Sequence, residues 1–266
     1  MQLQVHRFSV QSLMLRLLAN GNYLSLATGF VVEREGRFFL ITNYHVLAGR
    51  HPDTGRALDS ALALPDTVHI THHSSHRLGS WSYVTEPLLD AEGLPLFYTH
   101  PKNSPGSVID VVALPLTDLP DSVKHEPAEM SKTKPALTPA DMAIWPSTSV
   151  SVVGFPEGLR SAGYFPVWKT GHIASDPDLD HGNLPSFLID ATTRSGMSGS
   201  PVYLISMGGY PLRDGGGIVL GSAEAFLGVY ASRVVPALEA IEIGRVWKPQ
   251  VIDEIIAHAH QATTFA

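Results

Sequence analysis

The sequence predicts an all-β protein ending in one α-helix, and three observations carry that reading. Apolar runs are short and rich in β-branched and aromatic residues, as in "LSLATGFVVE" and "RFFLITN". The 266 residues are punctuated throughout by 20 prolines and 23 glycines, which suits many strands joined by turns. A 3.6-residue period enters only in the last segment, where Val251, Ile252, Ile255, Ile256 and Ala259 share one helical face behind Pro249, a residue suited to a first helical turn.

Taken in order, residues 1–21 contain an apolar run broken by Arg16, with neither a basic leader nor a small-residue cleavage site, so no signal peptide is expected. No stretch of about 18 uninterrupted apolar residues follows, and no membrane span is expected. Residues 24–33 and 37–43 read as a hairpin turning at Gly36. Residues 50–82, which include "THHSSH", read as elaborated loops and short strands, and "SVIDVVALPL" at 107–116 supplies a further strand. The proline-rich, charged stretch 118–146 has no sustained apolar period and reads as a surface linker. Beyond it, "SVSVVGFP", "FPVWKTGHIAS", "SFLIDAT", "SPVYLI" and "AFLGVYASRV" are five β-rich segments at intervals that fit a barrel or a sandwich.

Composition removes several function classes. Apolar residues make up 44% and charged residues 16%, as in a globular core. With 25 acids against 18 bases the net charge is −7, which disfavours a nucleic-acid partner, since that affinity rests on basic neutralisation of phosphates. Cysteine is absent, so neither disulfides nor a thiolate metal site can hold the fold, and a cytoplasmic location is expected.

Chemistry concentrates in "ATTRSGMSGSPVY", residues 191–203, which holds three serines in a glycine-rich run. A serine hydroxyl is a weak nucleophile until a base takes its proton, and the base needs a third group to fix its tautomer. His45 in "LITNYHVLAG" and Asp110 in "VIDVVALPL" supply those types upstream of Ser198. The order His, Asp, Ser is that of chymotrypsin, unlike the orders of subtilisin and the α/β-hydrolases. "GMSGSP" also departs from the G-x-S-x-G elbow, because Ser200 stands where its last glycine would be.

Six motifs in sequence order, "TGFVV", "LITNYHV", "IDVVALPL", "VVGFP", "KTGHIAS" and "GMSGSPV", resemble those of the bacterial trypsin-like serine peptidases of the chymotrypsin-like superfamily, over residues 27–233. The resemblance implies two six-stranded β-barrels, 1–117 and 147–235, joined by the linker 118–146 and followed by a C-terminal helical segment, 236–266. It implies that Ser198 is the nucleophile, His45 the general base and then acid, Asp110 the group that orients His45, and the N–H groups of Gly196 and Ser198 the oxyanion hole. Peptide or protein would be the substrate, with no metal or cofactor. The substrate-binding positions would be Thr192 at the base of the primary pocket and Tyr230, Ala231, Ser232 and Arg233 on the edge strand. Arg233 there points away from a preference for Lys or Arg and towards small or acidic side chains. Met197 replaces the acid that secreted digestive zymogens pair with a newly cut N-terminus, so that control is expected to be missing, and any regulatory partner is unidentified.

Two other readings are open at this stage. One is a peptidase-like binding module without turnover. The other is metal binding by His69, His72, His73 and His76, which are spaced three and four apart but lack the glutamate of an H-E-x-x-H pattern.

Overall fold

The computed structural model describes residues 4–104, 106–117, 119–123, 127–128, 142–233 and 242–259, excepting the side chains of Ser232 and Arg233. The first half comprises α1 (Phe8–Gln11), β1 (Ser12–Ala19), β2 (Asn22–Arg34), β3 (Arg37–Thr42), α2 (Tyr44–Ala48), β4 (Thr67–His73), β5 (Trp81–Pro87), β6 (Tyr98–Thr99) and β7 (Val112–Leu116). Its strands form one antiparallel sheet in the order β5-β4-β1-β2-β3-β7-β6. The second half comprises β8 (Ser149–Gly154), β9 (Val167–Ile173), β10 (Ser186–Asp190), β11 (Pro201–Ser206), β12 (Tyr210–Pro211), β13 (Ile218–Val219), β14 (Ala223–Arg233), β15 (Ile243–Trp247) and α3 (Gln250–His258). Six of its strands close a barrel in the order β10-β15-β14-β11-β8-β9, and β12 pairs β13 as a separate ribbon.

The hairpin expected at 24–43 is β2–β3, turning through Glu35 and Gly36, both at positive φ. Strand β1 is absent from the sequence reading, although it pairs with both β2 and β4. Its burial explains the omission, because every residue but Arg16 is at least partly buried and the polar half of an alternating pattern is missing. The segment 236–266 is not helical throughout. It contains β15, which pairs with β10 and β14 and closes the second barrel, so that barrel extends past residue 235. Most of the linker 118–146 lies outside the described residues. At its described parts Val123 bridges Ser74 and Met142 bridges Leu212.

Strands buried on both faces divide the core into three. Leu15, Leu17, Leu40, Val112 and Leu114 fill the first sheet's interior. Val150, Val152, Ile189, Val202 and Val246 fill the second barrel. The outward faces of these strands, including Phe30, Ala113, Val153, Tyr203 and Trp247, meet in a layer between the two halves. Helix α3 adds Val251, Ile252, Ile255 and Ile256 to that layer. From the N-terminal side α1 adds Phe8, stacked on Tyr203 with ring centroids 3.7 Å apart. No helix among the described residues is long and apolar enough to cross a membrane.

Candidate active site

His45 sits on α2, the short helix that leaves β3 and is closed by Gly49 in the left-handed region, φ +65°. Asp110 lies two residues before β7, at a tight bend where the Val111 N–H donates to the Ile109 carbonyl at 2.8 Å. Strands β3 and β7 are hydrogen-bonded neighbours, which brings the two side chains together across 65 residues of sequence. His45 Nδ1 lies 2.8 Å from Asp110 Oδ2, and the His45 backbone N–H donates to Asp110 Oδ1 at 2.9 Å. A carboxylate only accepts, so Nδ1 carries the proton and Nε2 is left as the free base. Asn43 Nδ2 donates to the Asp110 carbonyl at 2.6 Å and fixes the bend from the other side. Burial of the His45 ring opposes its charged form, but the Asp110 charge and hydrogen bond outweigh it and raise the imidazole above its ordinary value.

Ser198 comes from the second half, on the loop between β10 and β11. The loop is tied to the first half by β2. Thr28 donates its backbone N–H to the Ser198 carbonyl at 3.0 Å, and its hydroxyl donates to the Gly196 carbonyl at 2.7 Å while accepting from the Phe155 N–H at 3.1 Å. Gly196 and Gly199 have φ of +88° and +82°, which only glycine adopts without strain. Space demands glycine as well, since a Cβ on Gly199 would lie 2.1 Å from the Thr28 carbonyl oxygen. The Ser195 carbonyl accepts from the Glu157 N–H at 2.6 Å. In a planar trans peptide this turns the Gly196 N–H to the opposite side. No hydrogen bond among the described residues takes up the N–H of Gly196 or of Ser198.

The three candidate triad residues are therefore brought together unequally. His45 and Asp110 are hydrogen-bonded, whereas the Ser198 hydroxyl donates to the Ala231 carbonyl at 3.1 Å instead of to His45. His45 and Ser198 nevertheless line the same cavity of about 400 Å³, together with Ser195 and Gly196.

Among the expected pocket residues, Thr192 is exposed, and its neighbour Thr193 is buried and hydrogen-bonded through Oγ1 to the Tyr230 hydroxyl. Tyr230 is itself buried on β14, and its ring packs where a side chain on Gly244 would stand, Cε2 lying 2.5 Å from the Cβ position of that glycine. Ala231 accepts the Ser198 hydroxyl bond, and Arg233 pairs with Gly244 in the strand register. Met197 is fully buried among Val150, Val202 and Ile189. Sequence reading missed Thr28, Asn43 and Thr193. Asn43 carried a usable signal, an amide side chain two before His45 at the end of an apolar strand.

The histidines of 69–76 do not converge. Strand alternation sends His72 to the opposite face from His69 and His73, His73 packs on Trp81 and Phe165, and His76 is exposed. No group of three or more potential metal ligands comes together among the described residues.

The model of the trypsin-like peptidase domain matches residues 27–208. Among solved structures the chain is similar to the serine endoprotease from Yersinia pestis, at 11% identity over 97% of this chain and 67% of that one, TM-score 0.50. It is also similar to the HtrA-type protease AlgW with a tripeptide, at 16% identity over 94% of this chain and 60% of that one, TM-score 0.50. A third similar structure is the inactive form of a serine-to-alanine mutant of Rv3671c from M. tuberculosis H37Rv, at 17% identity over 94% and 87% of the respective chains, TM-score 0.46. At these identities the two structures with TM-score 0.50 bear on the fold alone. A search of curated protein sequences finds no match. Because the domain match takes in well over half of the residues, from within β2 past the loop between β10 and β11, the chain belongs to the trypsin-like peptidase domain family.

Proposed function

We propose that the protein is a serine endopeptidase that hydrolyses peptide bonds through an acyl-enzyme, with Ser198 as nucleophile, His45 as base and Asp110 as the group that orients it. The observation that carries this reading is the two-point hold of Asp110 on His45, at 2.8 Å to Nδ1 and 2.9 Å to the backbone N–H, with Ser198 on the wall of the same cavity. In the reaction Ser198 turns its hydroxyl from the Ala231 carbonyl to His45 Nε2, a contact that forms as substrate seats. His45 takes the proton as Oγ attacks the scissile carbonyl, the carbonyl oxygen becomes an oxyanion facing the N–H groups of Gly196 and Ser198, and His45 then protonates the leaving amine. Water repeats the sequence on the acyl-enzyme. No step needs a metal or cofactor.

Peptide pairs with β14 at Tyr230, Ala231, Ser232 and Arg233 as an added strand. The ring of Tyr230, held by Thr193, fills the space between that strand and residues 191–196, so the acyl side accepts small side chains. Met197 in the core leaves no acid for a digestive-zymogen switch, and the chain as it stands is competent without N-terminal cleavage. The absence of cysteine agrees with a reducing, cytoplasmic setting.

The test is hydrolysis of a mixed peptide library by purified Ser198→Ala and His45→Ala. Both variants are expected to keep the parent's circular dichroism spectrum and lose turnover. Hydrolysis retained by Ser198→Ala would mean that another group is the nucleophile.

A further inference from the structure

The cavity beside Ser198 lies on the leaving-group side, and nothing in the triad accounts for its lining. His45 hands its proton to the departing amine, so the residue after the scissile bond must stand past His45, away from Ala231. The cavity is lined by His45 and Val46 and not by Ala231, which fits that side. Its walls are Val46 on α2, Leu24 and Leu26 on β2, and Leu58, Ala63 and Pro65 on the loop that follows α2. These six side chains are apolar. The carboxylate that borders them, Asp59, is turned into its own loop, where Oδ1 accepts from the N–H of Ala61 at 2.9 Å and of Ala63 at 3.2 Å. The loop is also fixed against the helix, since Gly49 packs so closely that a Cβ there would lie 2.5 Å from Pro65 Cδ. At about 400 Å³ the space is within the range of small-ligand pockets and is shaped before substrate arrives.

Resting on the peptidase reading, we infer that this pocket reads the first residue of the leaving group and selects a medium-sized aliphatic side chain such as leucine. With Tyr230 filling the acyl side, selectivity is placed after the scissile bond. Burying a leucine side chain in such a lining, relative to glycine, is worth a factor of ten or more, about the discrimination that one to two methylenes supply in an apolar pocket.

Acyl transfer measures this directly. An Ala-Ala thiobenzyl ester acylates Ser198 as the benzyl thiol leaves. A free amine then attacks the acyl ester, the C–N bond forms, the ester C–O bond breaks, and the amine's proton passes through His45 to Ser198 Oγ. Partition between hydrolysis and aminolysis is followed with leucinamide, glycinamide and aspartamide. Leucinamide is expected to capture the acyl-enzyme at least about tenfold more efficiently than the other two. Ala63→Phe, which fills the pocket, and Leu58→Asp, on the exposed rim, should each bring that preference to within about threefold. The two changes act at different depths, so either variant alone gives the answer if the other does not fold. Acylation with equal capture of the three amines would overturn the inference and leave the peptidase reading standing. No thiol release and no acyl-enzyme by mass spectrometry would remove the peptidase reading and this inference with it.

Discussion

His45 is the residue on which pH dependence turns. In the proposed role of base it must be neutral, and its raised imidazole value is expected to place the acid limb of kcat/KM above the ordinary histidine value of about 6.5. Asp110→Asn removes the charge that raises it and disturbs the Nδ1–H tautomer, so the limb should move down while kcat falls by about 10⁴-fold. The linked stability runs in the opposite sense to activity. A histidine whose folded value is raised contributes stability fully below its unfolded value and loses it as pH rises through the folded one. The difference in Tm between the parent and Asp110→Asn should therefore be larger at about pH 6 than at about pH 9, and a difference that grows with pH would contradict the ion pair. The short motifs made legible which residues line up in sequence, and of these His45 and Asp110 are hydrogen-bonded while Ser198 lines the same cavity as His45. That Thr192 is exposed and Thr193 buried was not legible, because the chain leaves β10 at Asp190 and the period-two alternation ends there. Thr28 was not legible at all, since its two hydroxyl bonds reach residues 127 and 168 positions away.

At the scale of elements, the loop that carries Ser198 is held by contact with β2 as much as by its own glycines. Thr28→Val deletes the hydroxyl that serves Gly196 and Phe155 and leaves a buried N–H without its acceptor, at a cost of about 1–3 kcal/mol. Gly199→Ala combines a left-handed backbone with a Cβ 2.1 Å from the Thr28 oxygen, and it should cost more than the roughly 1 kcal/mol of an ordinary glycine effect. Urea titration of both variants should show lower midpoints with an unchanged slope, together with reduced kcat. An unaltered midpoint would show that the loop does not depend on β2. The β2–β3 hairpin and α3 were legible because a turn glycine and a clear 3.6-residue face mark them. Strand β1, buried on both faces, and β15, a short run read as part of the terminal helical segment, offered no such marks, and only pairing partners far along the chain define them.

Across the whole molecule, the layer between the two halves decides whether the site exists, because His45 and Asp110 come from one half and Ser198 from the other. Phe8, near the N-terminus, stacks on Tyr203 in that layer, and neighbouring bonds from Ser12 to the Val153 carbonyl and from Trp168 to Ser9 pin the same segment. Phe8→Ala should cost about 3–5 kcal/mol and lower Tm. If Phe8 also aligns the halves, activity at a temperature where the variant is folded should fall through kcat. The two-part β architecture was legible from composition and turn spacing, whereas the role of residues 8–12 was not, since a polar-flanked tetrapeptide reveals nothing about the partner it packs against. The proposed mechanism requires Ser198 to be an activated nucleophile, and the measurement that tests this most directly is labelling with a serine-directed phosphonate followed by peptide mapping. A single adduct on Ser198, absent in Ser198→Ala and strongly slowed in Asp110→Asn, is the predicted result. An adduct on Ser195 or Ser200, or none on a folded protein across pH 6 to 9, would contradict it.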